Sequence, residues 1–187
     1  MAQKEKQREE VIERLSAHLL ETGLSKASLR QLAAAAGVSD RMLLYYFADK
    51  ADVLACALGR VASDLTVMLD TAIPAGRKLP PAEIIRATTQ LIREPASKPF
   101  FRLWTEAVAA AARHEAPFVE IARQIAEGFL VWIEDRLSGG TGETRRATAA
   151  MVLAMVDGLA LLEICTDEER ADSAASQMQK LQHPDFD

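Results

Sequence analysis

The chain has 187 residues, with 22 Lys+Arg against 27 Asp+Glu and a formal net charge of -5. A composition that is 49% hydrophobic and 26% charged excludes global disorder and gives enough apolar residues for a core without staples. The acidic average weighs against a surface that is basic throughout, and two cysteines, Cys56 and Cys165, are too few for a disulfide framework. They read as small hydrophobes of a reduced, cytoplasmic protein.

The first ten residues hold no apolar run, so the N-terminus does not read as a signal peptide. A first helix is predicted from about Lys4 to Thr22, with Ile12, Leu15 and Leu19 on one face and Gly23 as its stop. A short second helix starts after Ser28, where Ser28-Leu-Arg-Gln31 spells a capping box, and ends at Gly37. Ser39 caps a third helix, about Asp40 to Phe47, and Asp49 caps a fourth from Lys50 to about Ala72. All seven prolines lie at Pro74 or later, which leaves this first part free of that helix breaker. Beyond the Ile73–Pro81 loop, helices are predicted at about Ala82–Arg93, Lys98–Arg113, Pro117–Leu137, Glu143–Ile164 and Glu168–Leu181. The expected fold is all-α, about nine helices: residues 1–50 as a three-helix head and residues 51–187 as a larger helical body. The apolar stretch Ala147–Cys165 is interrupted by Asp157 and reads as a buried helix, not a membrane span.

The most informative stretch is Ser28 to Lys50. Two short helices joined by Ala36-Gly37-Val38-Ser39 form a helix-turn-helix, whose second helix fits a major groove about 12 Å wide. Gly23, Ser28, Leu32-Ala33, Ala36-Gly-Val-Ser39, Tyr45-Tyr-Phe47 and Asp49-Lys50 stand in one order and spacing. Over residues 8–58 that pattern resembles the DNA-binding domain of tetracycline-repressor-type (TetR family) regulators. Arg41 occupies a position where the family commonly has Gly, and Leu44 one where it usually has a phosphate-contacting Tyr. Ala27 and Ala51 replace a frequent Thr and Glu.

The DNA-binding candidates are Ser28, Arg30, Ser39, Asp40, Arg41, Met42, Tyr45, Tyr46 and Lys50. Arg41 suits either a guanine edge or a phosphate, and Met42 either a thymine methyl or simple packing. Tyr45 and Tyr46 fit phosphate contact or packing, Phe47 reads as core, and Lys50 suits a phosphate or solvent. Ser28 and Ser39 cap their helices, and helix N-termini also offer N–H groups to phosphate.

The resemblance further implies a homodimer on palindromic, double-stranded DNA, controlled by a small-molecule effector. It places an effector cavity near Met68, Phe101, Trp104, Phe118, Trp132 and Met155, whose apolar character suits a hydrophobic or amphipathic molecule. It places the dimer interface on the last two helices, with Met151, Met155, Gly158, Leu162, Ala171, Ala175 and Met178 as candidates. Aromatic and alanine stripes at these spacings equally suit an intrachain core.

No metal site, cofactor or membrane partner is expected, because His18, His114 and His183 are scattered and Gly139-Gly-Thr-Gly142 lacks the Lys-Ser/Thr of a P-loop. Nothing points to an enzyme. The competing reading is a helical ligand-binding or protein-interaction module without operator binding. The charge count itself divides by position. Residues 1–60 hold nine Lys+Arg against eight Asp+Glu, while the remainder holds 13 against 19. Leu24–Lys50 carries four cations against two carboxylates, so the acidity belongs to the body and leaves the head able to meet DNA.

Overall fold

The computed structural model describes residues 2–182, and every regular element among them is helical. In chain order these are α1 (Ala2–Thr22), a 3-10 turn (Leu24–Lys26), α2 (Leu29–Ala36), α3 (Asp40–Tyr46), α4 (Lys50–Ala72) and α5 (Pro81–Arg93). They continue with α6 (Lys98–Ala112), α7 (Phe118–Arg136), α8 (Gly142–Cys165) and α9 (Glu168–Gln182). Predicted boundaries hold within a residue or two, because capping residues, prolines and glycines mark the ends locally. The 3-10 turn was not predicted from the sequence.

By packing, the chain divides into two compact units, residues 1–66 with 96–126 and residues 67–95 with 127–187. In the first unit α6 packs against α1, so a segment distant in sequence joins it.

The first unit is built around an apolar centre that includes Leu15, Leu19, Leu32, Leu43, Phe47, Val53, Leu54 and Leu103. The amphipathic spacing of α1 and α2 supplies its inner faces. Two α6 side chains hold the junction between α1 and α2. Arg102 donates to the carbonyls of Leu20 (2.5 Å) and Glu21 (3.1 Å), which lack helical partners at the end of α1. Glu106 Oε2 accepts the Leu24 N–H at 2.6 Å. The chain passes Glu106 at Gly23, whose φ is +70°, and a Cβ there would stand 2.5 Å from the carboxylate. Only glycine meets both conditions.

The second unit packs α5 chiefly on α8, with α9 against both. Its core includes Ile73, Ile84, Leu137, Val152 and Leu159. Leu79 and Leu137 form an isolated parallel bridge, with Leu79 N–H donating to Arg136 O and Ser138 N–H to Leu79 O, each at 2.8 Å. Arg93 of α5 donates to Glu163 of α8 (2.8 Å) and Asp172 of α9 (2.6 Å), joining three helices through one guanidinium.

The α8 helix has the length and apolarity of a membrane span, but its composition is also that of a packed helix. Ala149, Val152, Val156, Leu159 and Ala160 are buried on one side. Met151, Leu161 and Ile164 are exposed, as are Ala147, Ala150, Ala154 and Gly158. These positions recur every three or four residues, so they form a second apolar face that the protomer leaves uncovered. The expected buried helix is thus buried on one side within the protomer.

Candidate nucleic-acid interface

The head is set by caps at each end of its short helices. Ser28 Oγ accepts the Gln31 N–H at 3.3 Å while Gln31 Oε1 accepts the Ser28 N–H at 3.3 Å, completing the predicted capping box. Gly37 ends α2 in the left-handed region at φ +72°, with its N–H directed back to the Ala33 and Ala34 carbonyls. Arg14 Nη1 donates to the Ala36 carbonyl at 3.0 Å, which adds a cation at the C-terminus of α2. Ser39 Oγ then accepts the Met42 N–H at 3.2 Å and starts α3. The next start is reciprocal as well: Asp49 Oδ1 accepts the Asp52 N–H, and Asp52 Oδ2 accepts the Ala48 N–H, both at 2.9 Å.

Leu43 and Phe47 are buried and fix the inward side of α3. Asp40, Arg41, Met42, Leu44 and Tyr45 are exposed, so the helix turns a continuous polar and apolar row away from the core. Ser28, Arg30, Ser39 and Lys50 are exposed too. All nine DNA-binding candidates therefore lie in the first unit, and eight of them are exposed.

Tyr46 is the half-buried exception, and its surroundings separate it from Tyr45. Its hydroxyl donates to Gln7 Oε1 at 3.1 Å, and its carbonyl accepts from Arg8 Nε at 3.4 Å. Tyr45 is 58% exposed, with the Lys4 ammonium 4.2 Å from its ring centroid and its ring edge-on to Tyr46 at 5.5 Å. Packing thus accounts for Tyr46, while Tyr45 remains open to a ligand. Lys4, Gln7 and Arg8, which hold these rings, were missed in the sequence. Their i, i+3, i+4 spacing on one face of α1 was the available signal.

Arg8 also stacks over Phe47 at 4.8 Å and donates to Cys56 Sγ at 3.0 Å. Burial pushes the Cys56 thiol upward, with the Arg8 charge opposing it, so Cys56 is a packed thiol beneath the head. Cys165 is exposed.

Residues 16–56 match the family model described as "Bacterial regulatory proteins, tetR family". The match spans α2, the Gly37 turn and α3, the elements whose caps and outward face are described above. Over these residues the chain is similar to the DNA-binding region of TetR-family regulators. The fold of the whole chain is TetR-like as well. It is similar to a transcriptional regulator from Rhodococcus sp. Rha1, at 25% identity over 94% of this chain and 96% of that one, TM-score 0.69. A TetR-family transcriptional regulator from Cytophaga hutchinsonii shares the fold at 14% identity, covering 97% and 95%, TM-score 0.72. So does the multidrug binding protein EbrR complexed with ethidium, at 23% identity, covering 91% and 97%, TM-score 0.68. No curated protein matches the chain.

The residues expected at a TetR effector cavity divide between the units. Phe101, Trp104 and Phe118 are half-buried in the first, and Met68 and Met155 half-buried in the second. Trp132, also in the second, is buried, and its indole N–H donates to Asp70 Oδ1 at 2.8 Å. Of the dimer candidates, Met151 and Gly158 are exposed, while Met155, Leu162 and Ala175 are half-buried. Ala171 is fully buried within its own protomer, and the side chain of Met178 lies outside the described residues.

Proposed function

We propose that this chain is a TetR-type regulator, a ligand-responsive repressor that binds a palindromic operator as a homodimer and releases it when a small hydrophobic or amphipathic effector binds. Residues 1–50 supply DNA reading, and residues 51–187 supply effector binding and dimerisation. The observation that carries the reading is the outward row of α3, where Arg41, Met42 and Tyr45 are exposed on a helix anchored by Leu43 and Phe47. A guanidinium there suits the O6 and N7 acceptors of guanine.

The dimer proposal rests on the uncovered α8 face. A second copy is its natural occupant, since a twofold contact matches the face with itself and its exposed Ala and Gly residues admit close helix approach. Two heads so related would read half-sites one DNA turn apart, about 34–36 Å. Replacing Ile164, 63% exposed, with glutamate is expected to shift the light-scattering mass from two chains to one while helicity is kept. A mass of one chain for the unaltered protein would contradict the dimer.

The effector class follows the apolar candidates and the likeness to EbrR, which was solved with ethidium and with proflavin. Regulation then requires only that the effector prefer the dimer state that binds DNA poorly, so that DNA and effector weaken one another reciprocally.

The test is selection of bound DNA from a random pool, followed by binding isotherms at one stated salt concentration on variants of the recovered site. Arg41→Ala is expected to relax preference at one base pair, by about 1–3 kcal/mol on the preferred sequence. Lys50→Ala is expected to weaken every sequence alike and to reduce the salt dependence by about one counterion. Equal behaviour of the two variants across the panel would remove the division of labour. Recovery of no preferred sequence would favour the module without operator binding.

A further inference from the structure

The geometry points to Leu44 as a base-reading residue that contacts the 5-methyl group of a thymine in the major groove, beside the base pair read by Arg41. This rests on the operator-binding reading above and adds a chemical determinant to it. Leu44 follows Leu43, which is buried, and lies three residues after Arg41, so it shares the outward row of α3. It is 46% exposed, on a seven-residue helix whose inward side is already filled by Leu43 and Phe47. The apolar centre of the first unit does not include it.

A leucine carries no donor or acceptor, so it can bond neither a phosphate oxygen nor the polar part of a base edge. Among the groups that base pairs present in the major groove, the thymine methyl is the one whose chemistry an aliphatic side chain matches. Arg41 lies one turn away on the same row and has the opposite chemistry, with five donors and no acceptor. The pair therefore reads a guanine and a thymine on neighbouring base pairs. Removing one methyl from such a contact changes affinity by about four-fold.

The experiment uses the full chain and the palindrome recovered by selection, with thymines replaced one at a time by deoxyuridine in one half-site. Deoxyuridine keeps the polar edge of thymine and lacks only the methyl. The unaltered protein is expected to lose about four-fold in affinity at one position and little at the others. Leu44→Ala, which melts like the parent because the side chain is exposed, is expected to bind the thymine and deoxyuridine probes equally there. It should keep the guanine preference set by Arg41. Val108→Ala is the control, since Val108 is 40% exposed on α6, away from the α3 row, and it should retain the deoxyuridine penalty.

No loss at any deoxyuridine position would overturn the proposal, as would a penalty that survives Leu44→Ala or disappears in Val108→Ala. A protein for which no site outcompetes random DNA would instead overturn operator binding itself, and the proposal with it. The two failures are distinguishable because the first leaves sequence-specific binding intact.

Discussion

Replacing Phe47 with alanine is expected to lower the stability of the first unit by about 3–5 kcal/mol, the usual cost of emptying a buried aromatic site. The side chain is 2% exposed, and its N–H donates to the Leu43 carbonyl at 3.0 Å where α3 ends. Its ring also carries the Arg8 guanidinium at 4.8 Å. Alanine would therefore leave a cavity under α3 and remove the surface on which Arg8 rests. Chemical denaturation reads the loss as a lower midpoint. Tyr45→Ala is the comparison: it lies two residues earlier but is 58% exposed, so its stability should change by no more than about 0.5 kcal/mol. If both variants unfold alike, α3 is not anchored through Phe47. The contrast separates the residue that holds the reading helix from the one that faces outward.

Arg136→Ala is expected to cost the second unit about 3 kcal/mol or more. Its side chain is 5% exposed, and it ties α7 to the C-terminal end of α4. Nε donates to the Ile73 carbonyl (2.9 Å), just past the end of α4, and Nη1 to the Trp132 carbonyl (3.2 Å). Nη2 meets Asp70 Oδ1 at 2.5 Å, the same oxygen that accepts the Trp132 indole N–H. The guanidinium also covers the Trp132 ring, 4.2 Å from its centroid. Removing it strands a carbonyl, weakens the Asp70 contact and exposes one face of the indole, and breaking one side of a buried pair costs about 3–5 kcal/mol. The lower part of that range applies because Asp70 is 44% exposed on its side chain and water can replace part of its contact. Arg136→Lys keeps the charge but loses the planar fork, and is expected to recover only part of the stability. Full recovery by lysine would mean that charge alone matters at this position.

These two residues also mark how much the sequence revealed. Phe47 was legible as core because it closes a short apolar-periodic helix before a capping residue, all within a few positions. Arg136 was not, since its partners at Asp70 and Ile73 are more than 60 residues away in sequence. A lone Arg near a helix end reads as solvated surface until the fold brings an aspartate and a carbonyl to it. Trp132 illustrates the same limit. The aromatic stripe suggested an effector cavity or a core, and its bond to Asp70 gives it a structural role inside the second unit.

The head was more readable than the body because its information is local. Gly37 and the capping residues Ser28, Ser39 and Asp49 act within four residues, so the sequence by itself determined where each helix begins and ends. It also marked Phe47 as core, whereas the burial of Leu43 beside it came from the structure. Tertiary structure decided what the outward residues meet. It tied Tyr46 to Gln7, set Lys4 over Tyr45, left Leu44 and Met42 uncovered, and used Glu106 of α6 to hold the Leu24 N–H behind Gly23. Caps and periodicity are short-range and survive in any fold that keeps the helices. Partners separated by 39 or 82 residues exist only once the chain has closed, and no local pattern encodes them.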